Sequence, residues 1–154
     1  MNIGIIGYGN QSRKIINLIL KHKRATRILI YYYKKKKFIK LKKSNRNKRI
    51  VFCNRLNELK NLDCVFIASP NETHVKYLKH FLKYKTYIFC EKPPCTSIKE
   101  SRYLMKLDTK FKKKIYFNFN YNQSSLKTIL KKLILKNQNG KPIFTSISFS
   151  HGIA

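Results

Sequence analysis

Short apolar runs recur along the chain at residues 3–6, 27–33, 50–53, 64–68, 87–90 and 114–119. They are rich in Ile, Val, Phe and Tyr and are bounded by turn residues. This predicts strands buried on both faces. Between the runs the period changes to that of a helix. Over 12–23, Ile15, Leu18 and Ile19 share one face, which Ile16 and Leu20 widen. A short helix is expected over 56–61. A longer one is expected from after Asn71 to about Lys83, carrying Val75, Leu78, Phe81 and Leu82. Ser97 with Glu100 reads as a capping box opening a helix that runs to Phe111 and buries Leu104, Leu107 and Phe111.

Strands alternating with helical crossovers predict an α/β fold with a doubly wound parallel sheet, its helices on both faces because crossovers are right-handed. Three segments stand apart. Residues 34–49 carry ten Lys or Arg and no acid, so self-repulsion leaves any helix there weak. Residues 124–136 hold the most regular apolar stripe, Leu126, Ile129, Leu130, Leu133 and Ile134. Residues 142–149 alternate apolar with polar positions, the mark of an antiparallel strand with one wet face. The change predicts two domains: 1–119, the doubly wound unit, and 120–154, the start of an α+β domain that the sequence leaves incomplete.

Composition adds a second question. Thirty-five Lys and Arg against six Asp and Glu give a net charge of +29. Such an excess suits a polyanion partner. Yet Lys, Asn, Ile, Tyr and Phe are all written with A/T-rich codons, and Lys far outnumbers Arg, the better phosphate fork. Compositional drift therefore accounts for the charge, and a basic nucleic-acid-binding protein using residues 34–49 stays as a rival reading without a recognised motif. Cys53, Cys64, Cys90 and Cys95 form no CxxC pair and read as core or half-exposed thiols, so no metal site is expected. Lys or Arg interrupts every apolar run, which excludes a spanning helix, and Met1 leads straight into a strand, so a cytoplasmic protein without a leader is expected.

Several strand ends carry candidate chemistry. Gly7-Tyr8-Gly9-Asn10-Gln11-Ser12 follows the first strand and opens a helix. It matches the first two positions of G-x-G-x-x-G, with Ser12 at the third. The first glycine makes the tight turn, and the second lets backbone approach a pyrophosphate at the helix N-terminus. The acid that holds a free ribose 2′-hydroxyl is absent near Tyr33 and Lys34. Lys34 and Lys35 instead lean the cofactor from NAD toward NADP. After the fourth strand, Asn71 is placed to cap a helix with its side chain, and His74 falls on that helix's first turn. Spacing alone makes His74 a solvated histidine.

Gly7-Tyr8-Gly9, Ser69-Pro70-Asn71-Glu72-Thr73-His74 and Cys90-Glu91-Lys92-Pro93-Pro94, in that order and spacing, resemble the Gfo/Idh/MocA family of NAD(P)-dependent oxidoreductases. The resemblance continues into Phe119-Asn120-Tyr121 and the Gly140-Lys141 turn. It implies a Rossmann NAD(P)-binding fold and hydride transfer between a nicotinamide dinucleotide and a sugar, inositol or sugar nucleotide. It implies that Gly7, Tyr8, Gly9, Asn10 and Gln11 hold the pyrophosphate side, with Lys34 beyond. Ser69, Pro70, Asn71 and His74 would line the cofactor cleft. Glu91 would contact the nicotinamide half, with Pro93 beside it, and Lys92 would be the catalytic group at the reacting carbon. The family's further substrate residues, an Asp and a His on one helix of a second domain, find no match, since no Asp follows Asp108 and His151 belongs to a strand end. The family arginine after the sixth strand is replaced near Asn122. The chain is thus expected to cover about half a family member and to be catalytically incomplete, or else a truncated, silent nucleotide-binding domain. Any homo-oligomer would need the missing C-terminal region.

Overall fold

The computed structural model describes residues 1–119, 125–136, 140, 143 and 144. The chain divides into two compact units, Met1–Asn118 and Phe119–Ala154. In the first, six strands form one sheet: β1 (Asn2–Ile6), β2 (Arg27–Tyr31), β3 (Ile50–Cys53), β4 (Cys64–Ile67), β5 (Tyr87–Glu91) and β6 (Ile115–Asn118). Their spatial order is β3-β2-β1-β4-β5-β6 and every pairing is parallel. The order reverses between β1 and β4, the place where such sheets open a crevice at their carboxyl ends.

The central strands β1, β2 and β4 are covered on both faces, which is why their runs read as unbroken, whereas Tyr87 of β5 and Tyr116 of β6 leave one face of that end of the sheet exposed. Ile3, Ile5, Ile28 and Ile30 face helices α1 (Asn10–Leu20) and α2 (Lys35–Ser44), packing with Ile16, Ile19 and Phe38. Ile6, Leu29, Val65, Ile67 and Ile88 face the other side, where Tyr77, Leu78 and Phe81 of α3 (His74–Phe81) close the core. Alternate residues of one strand therefore enter two cores. A fully buried Ile or Leu here contributes about 1.5–3 kcal/mol of transfer free energy.

Several local expectations shift. Helix α1 starts at Asn10 and buries Ser12, Ile16 and Ile19, while Leu18, expected on the inner face, is 60% exposed. Residues 56–61 give only a 3-10 turn, Leu56–Glu58. The basic segment forms helix α2 despite its charge, because burying Phe38 and half-burying Leu41 outweighs screened repulsion between exposed ammonium groups. The helix expected from Ser97 to Phe111 is broken into α4 (Ile98–Met105) and α5 (Thr109–Lys112). Asp108 causes the break, since its carboxylate accepts from Lys110 N at 3.1 Å and starts a new helix. The capping box is half realised: Ser97 Oγ accepts from Glu100 N at 3.2 Å, but the Glu100 carboxylate takes Thr96 N at 2.9 Å.

Three cations end helices. Arg49 donates to Leu20 O at 2.6 Å and Ala25 O at 3.3 Å after α1. Lys114 donates to Leu82 O at 3.0 Å and Tyr84 O at 2.7 Å after α3, and Lys112 to Met105 O at 2.9 Å after α4. Carbonyls at helix C-termini thus satisfy charges that find few carboxylates. No helix among the described residues is long and apolar enough to cross a membrane.

In the second unit, α6 (Ser125–Lys136) carries the expected stripe, with Ile129, Leu130, Leu133 and Ile134 exposed. The strand expected over 142–149 lies outside the described residues apart from Ile143 and Phe144, both exposed. Asn120, Tyr121, Asn122, Lys141 and His151 lie outside them as well.

Candidate functional site

The two glycines of the first motif do different work. Gly7 has φ +96°, and its N–H donates to Tyr31 O at 3.0 Å. A Cβ there would lie 2.7 Å from Ala68 O and 3.0 Å from Ser69 Cα. The chain leaving β1 is squeezed between the ends of β2 and β4, and only a residue without a side chain passes. Gly9 is the N-cap of α1 with φ −94°, and nothing lies within 4 Å of the place its Cβ would occupy. Ser12, at the third motif position, is fully buried and donates to Ala68 O at 3.3 Å. A small polar residue therefore packs helix to strand where glycine is usual.

No side chain caps α1 and its first turn holds no acid. Its leading amides face a hollow of about 350 Å³ at the carboxyl ends of β1, β2 and β4. Open space over Gly9 and uncapped amides fit the diphosphate of a dinucleotide. Gly7, Tyr8, Gly9, Asn10, Gln11, Lys34, Ser69 and Pro70 all line this hollow. Tyr31, Tyr32, Tyr33 and Tyr77 form a wall that sequence reasoning missed. The signal was the Tyr31-Tyr32-Tyr33 run at the end of the second strand, where the ribose acid is sought. Tyr77 sits against Tyr31, ring centroids 6.0 Å apart, and burial with that neighbour pushes its hydroxyl up to about 12.

Asn71, His74, Glu91, Lys92 and Pro93 do not line this hollow. Asn71 does not cap a helix. It begins the 3-10 turn Asn71–Thr73, and neither that turn nor α3 has a side-chain cap. Thr73 orders the loop instead, its hydroxyl 2.7 Å from Ser69 Oγ and 2.6 Å from Pro70 O. His74 is not a solvated histidine: it is fully buried, Nδ1 2.8 Å from Pro93 O and Nε2 2.9 Å from Ser69 O. Spacing placed it on the first turn but could not tell which way that turn faces.

Glu91 joins the two motifs. Its Oε1 accepts from Gln11 Nε2 at 2.9 Å and from Asn118 Nδ2 at 2.7 Å. Asn118 pairs with Glu91 in the β5–β6 register, a contact visible only once the strands are aligned. The glycine turn and the Glu-Lys-Pro thus meet at the same edge of the sheet. Lys92 is exposed, and its ammonium makes no hydrogen bond among the described residues. Burial pushes the Cys90 thiol beneath up to about 12, and Cys53 and Cys64 to about 11, so these three are core thiols rather than nucleophiles. No group of His, Cys, Asp and Glu able to hold a metal occurs among the described residues.

The sequence pattern of the oxidoreductase family with an NAD-binding Rossmann fold matches residues 1–119. Glucose-6-phosphate 3-dehydrogenase of Bacillus subtilis is 25% identical over 152 residues, 99% of this chain and 43% of that protein. The crystal structure of scyllo-inositol dehydrogenase from Lactobacillus casei with NAD(H) and scyllo-inositol superposes with TM-score 0.70 at 20% identity, over 90% of this chain and 42% of that one. The WlbA dehydrogenase of Bordetella pertussis, in complex with NADH and UDP-GlcNAcA, gives 0.68 at 15% identity, over 90% and 43%. The chain spans less than half the length of these relatives. A strand-turn-helix built around Gly7 and Gly9, a six-stranded parallel sheet and the family pattern across 1–119 together make this chain a member of the Gfo/Idh/MocA oxidoreductase family.

Proposed function

We propose that this chain holds the nicotinamide dinucleotide of a dehydrogenase acting on a CH–OH group of a sugar, inositol or sugar nucleotide. The observation that carries the reading is the Gln11–Glu91 hydrogen bond, 2.9 Å, which ties the diphosphate turn to the Glu-Lys-Pro loop across the sheet's switch point. The substrate class is supported by relatives that act on glucose 6-phosphate and on inositol. When bound, the nicotinamide gives or takes the hydride. The residues of this chain do the rest. Gly9 leaves room for the diphosphate, and the first amides of α1 hold its charge. Lys92, whose ammonium has no hydrogen-bond partner among the described residues, polarises the substrate oxygen and relays its proton. Ser69 and Pro70 wall the cleft, and Asn71, next along the chain, is assigned to the cofactor on the family motif alone.

At the adenosine end, no carboxylate among the described residues lines the hollow, whereas Lys34 does, its Nζ 5.9 Å from the Tyr33 ring centroid. That favours NADP over NAD. Unpaired thiols suit a reducing, cytoplasmic setting. The test is fluorescence titration of the chain with NADPH and NADH. Saturable binding is expected, tighter for NADPH, and no binding of either at millimolar concentration refutes the reading. Binding with no turnover of any sugar or polyol would reduce it to a nucleotide-binding domain.

A further inference from the structure

We propose that His74 is a positioning residue for Lys92: its buried ring, strung between Ser69 O and Pro93 O, fixes the Glu-Lys-Pro loop against the nicotinamide end of the cleft. The proposal rests on the dinucleotide reading above.

Lys92 lies between two pinned residues. On one side, the Glu91 carboxylate is gripped by Gln11 and Asn118 at 2.9 and 2.7 Å. On the other, the carbonyl of Pro93 meets His74 Nδ1 at 2.8 Å. Between them the Lys92 side chain stands in solvent. The ring's other nitrogen reaches a second loop. Nε2 meets Ser69 O at 2.9 Å, and Ser69 belongs to a loop stiffened by Thr73. The ring is fully buried, so no water competes for either contact. A carbonyl oxygen only accepts, so Nδ1 must carry a proton to hold Pro93. A neutral ring protonated there holds Pro93 alone, and a doubly protonated ring holds both loops. In that doubly protonated form the loops after β4 and β5, supplied from separate strand ends, present one surface to a ligand.

Two conservative variants divide the roles. The amide nitrogen of Asn replaces Nδ1, and that of Gln replaces Nε2. His74→Asn keeps the donor toward Pro93, whereas His74→Gln keeps only the one toward Ser69. Affinities of the whole chain for NADH and for ADP-ribose, which lacks the nicotinamide, separate placement of the loop from general integrity. The expected result is about tenfold or greater weakening of NADH for His74→Gln, with ADP-ribose within about twofold, and NADH largely restored in His74→Asn. Equal loss of both ligands, loss of neither, or identical behaviour of the two variants overturns the proposal. If the unaltered chain binds neither ligand, the dinucleotide reading fails and this one with it. Nitrogen-15 spectra of the unaltered chain give an independent check: an unprotonated Nδ1 on His74 overturns the proposal however the variants behave.

Discussion

Alanine at Gly7 and alanine at Gly9 should have opposite effects. At Gly7 the backbone is left-handed, φ +96°, and a side chain there costs about 1–3 kcal/mol in strain. The added Cβ would also sit 2.7 Å from Ala68 O, with Ala68 C at 3.1 Å, and both are backbone atoms that cannot swing aside. Relieving such an overlap costs about another 1–3 kcal/mol. Reduced freedom of the unfolded chain returns about 0.4–1 kcal/mol. Taking the middle of each range, the net loss is about 3 kcal/mol, a large share of an ordinary domain's roughly 5–15 kcal/mol. At about 3–6 °C per kcal/mol for a unit of this size, Gly7→Ala should lower Tm by about 10 °C or more. At Gly9, φ is −94° and no atom lies within 4 Å of the new methyl. The weaker N-cap preference of Ala and its stiffer unfolded chain roughly cancel, leaving stability within about 0.5 kcal/mol. The methyl instead enters the space proposed for the diphosphate, and dinucleotide affinity should fall more than tenfold. Calorimetry and NADH titration of both variants decide the matter. A Gly9→Ala chain that binds normally, or a Gly7→Ala chain that melts within about 2 °C of the parent, about a fifth of the expected shift, would refute the reasoning.

Other outcomes follow from the same contacts. Lys34→Glu should reverse the ratio of NADPH to NADH affinity, and an unchanged ratio in paired titrations would remove Lys34 from cofactor choice. Folded chain treated with iodoacetamide at mild alkaline pH should be labelled first at Cys95, the half-exposed thiol, because burial raises Cys53, Cys64 and Cys90; peptide mass spectrometry showing Cys90 labelled as fast would contradict this. The same three thiols favour the folded state below their ordinary value of 9.0, and that contribution should fade as pH rises toward 11. Lys114→Met, which removes two hydrogen bonds to the end of α3, should cost about 1–2 kcal/mol in urea unfolding. Burial lowers the Lys114 ammonium, so the unfolded chain holds its proton more tightly, and the parent should gain on the variant as pH rises toward 10.5; a gap that narrows instead would refute the burial argument.

Periodicity alone determined much of this protein. Unbroken runs such as 64–68 and 87–90 specify strands of a central sheet, although Tyr87 leaves one face of β5 open, and alternation with helices leaves the parallel, doubly wound sheet as the economical arrangement. The glycine turn was equally legible, because a strand, a tight turn and a helix in succession form a local unit. Helix faces were less so. Leu18 fits the apolar stripe of α1, yet the sheet presses on Ser12, Ile16 and Ile19, and a helix cannot turn both sets inward. Asp108 broke a helix that its apolar spacing would have continued, since a carboxylate reaching the next amides competes with the ladder over a distance too short for a periodicity window to notice. What only the tertiary structure decided is pairing between residues far apart in sequence: Glu91 with Gln11 across 80 positions, His74 with Pro93 across 19, and the tyrosine wall around the hollow. A sequence gives the direction of a side chain relative to its own helix or strand. Which acceptor stands opposite depends on strand order and register, and these are fixed by burial summed over the whole sheet.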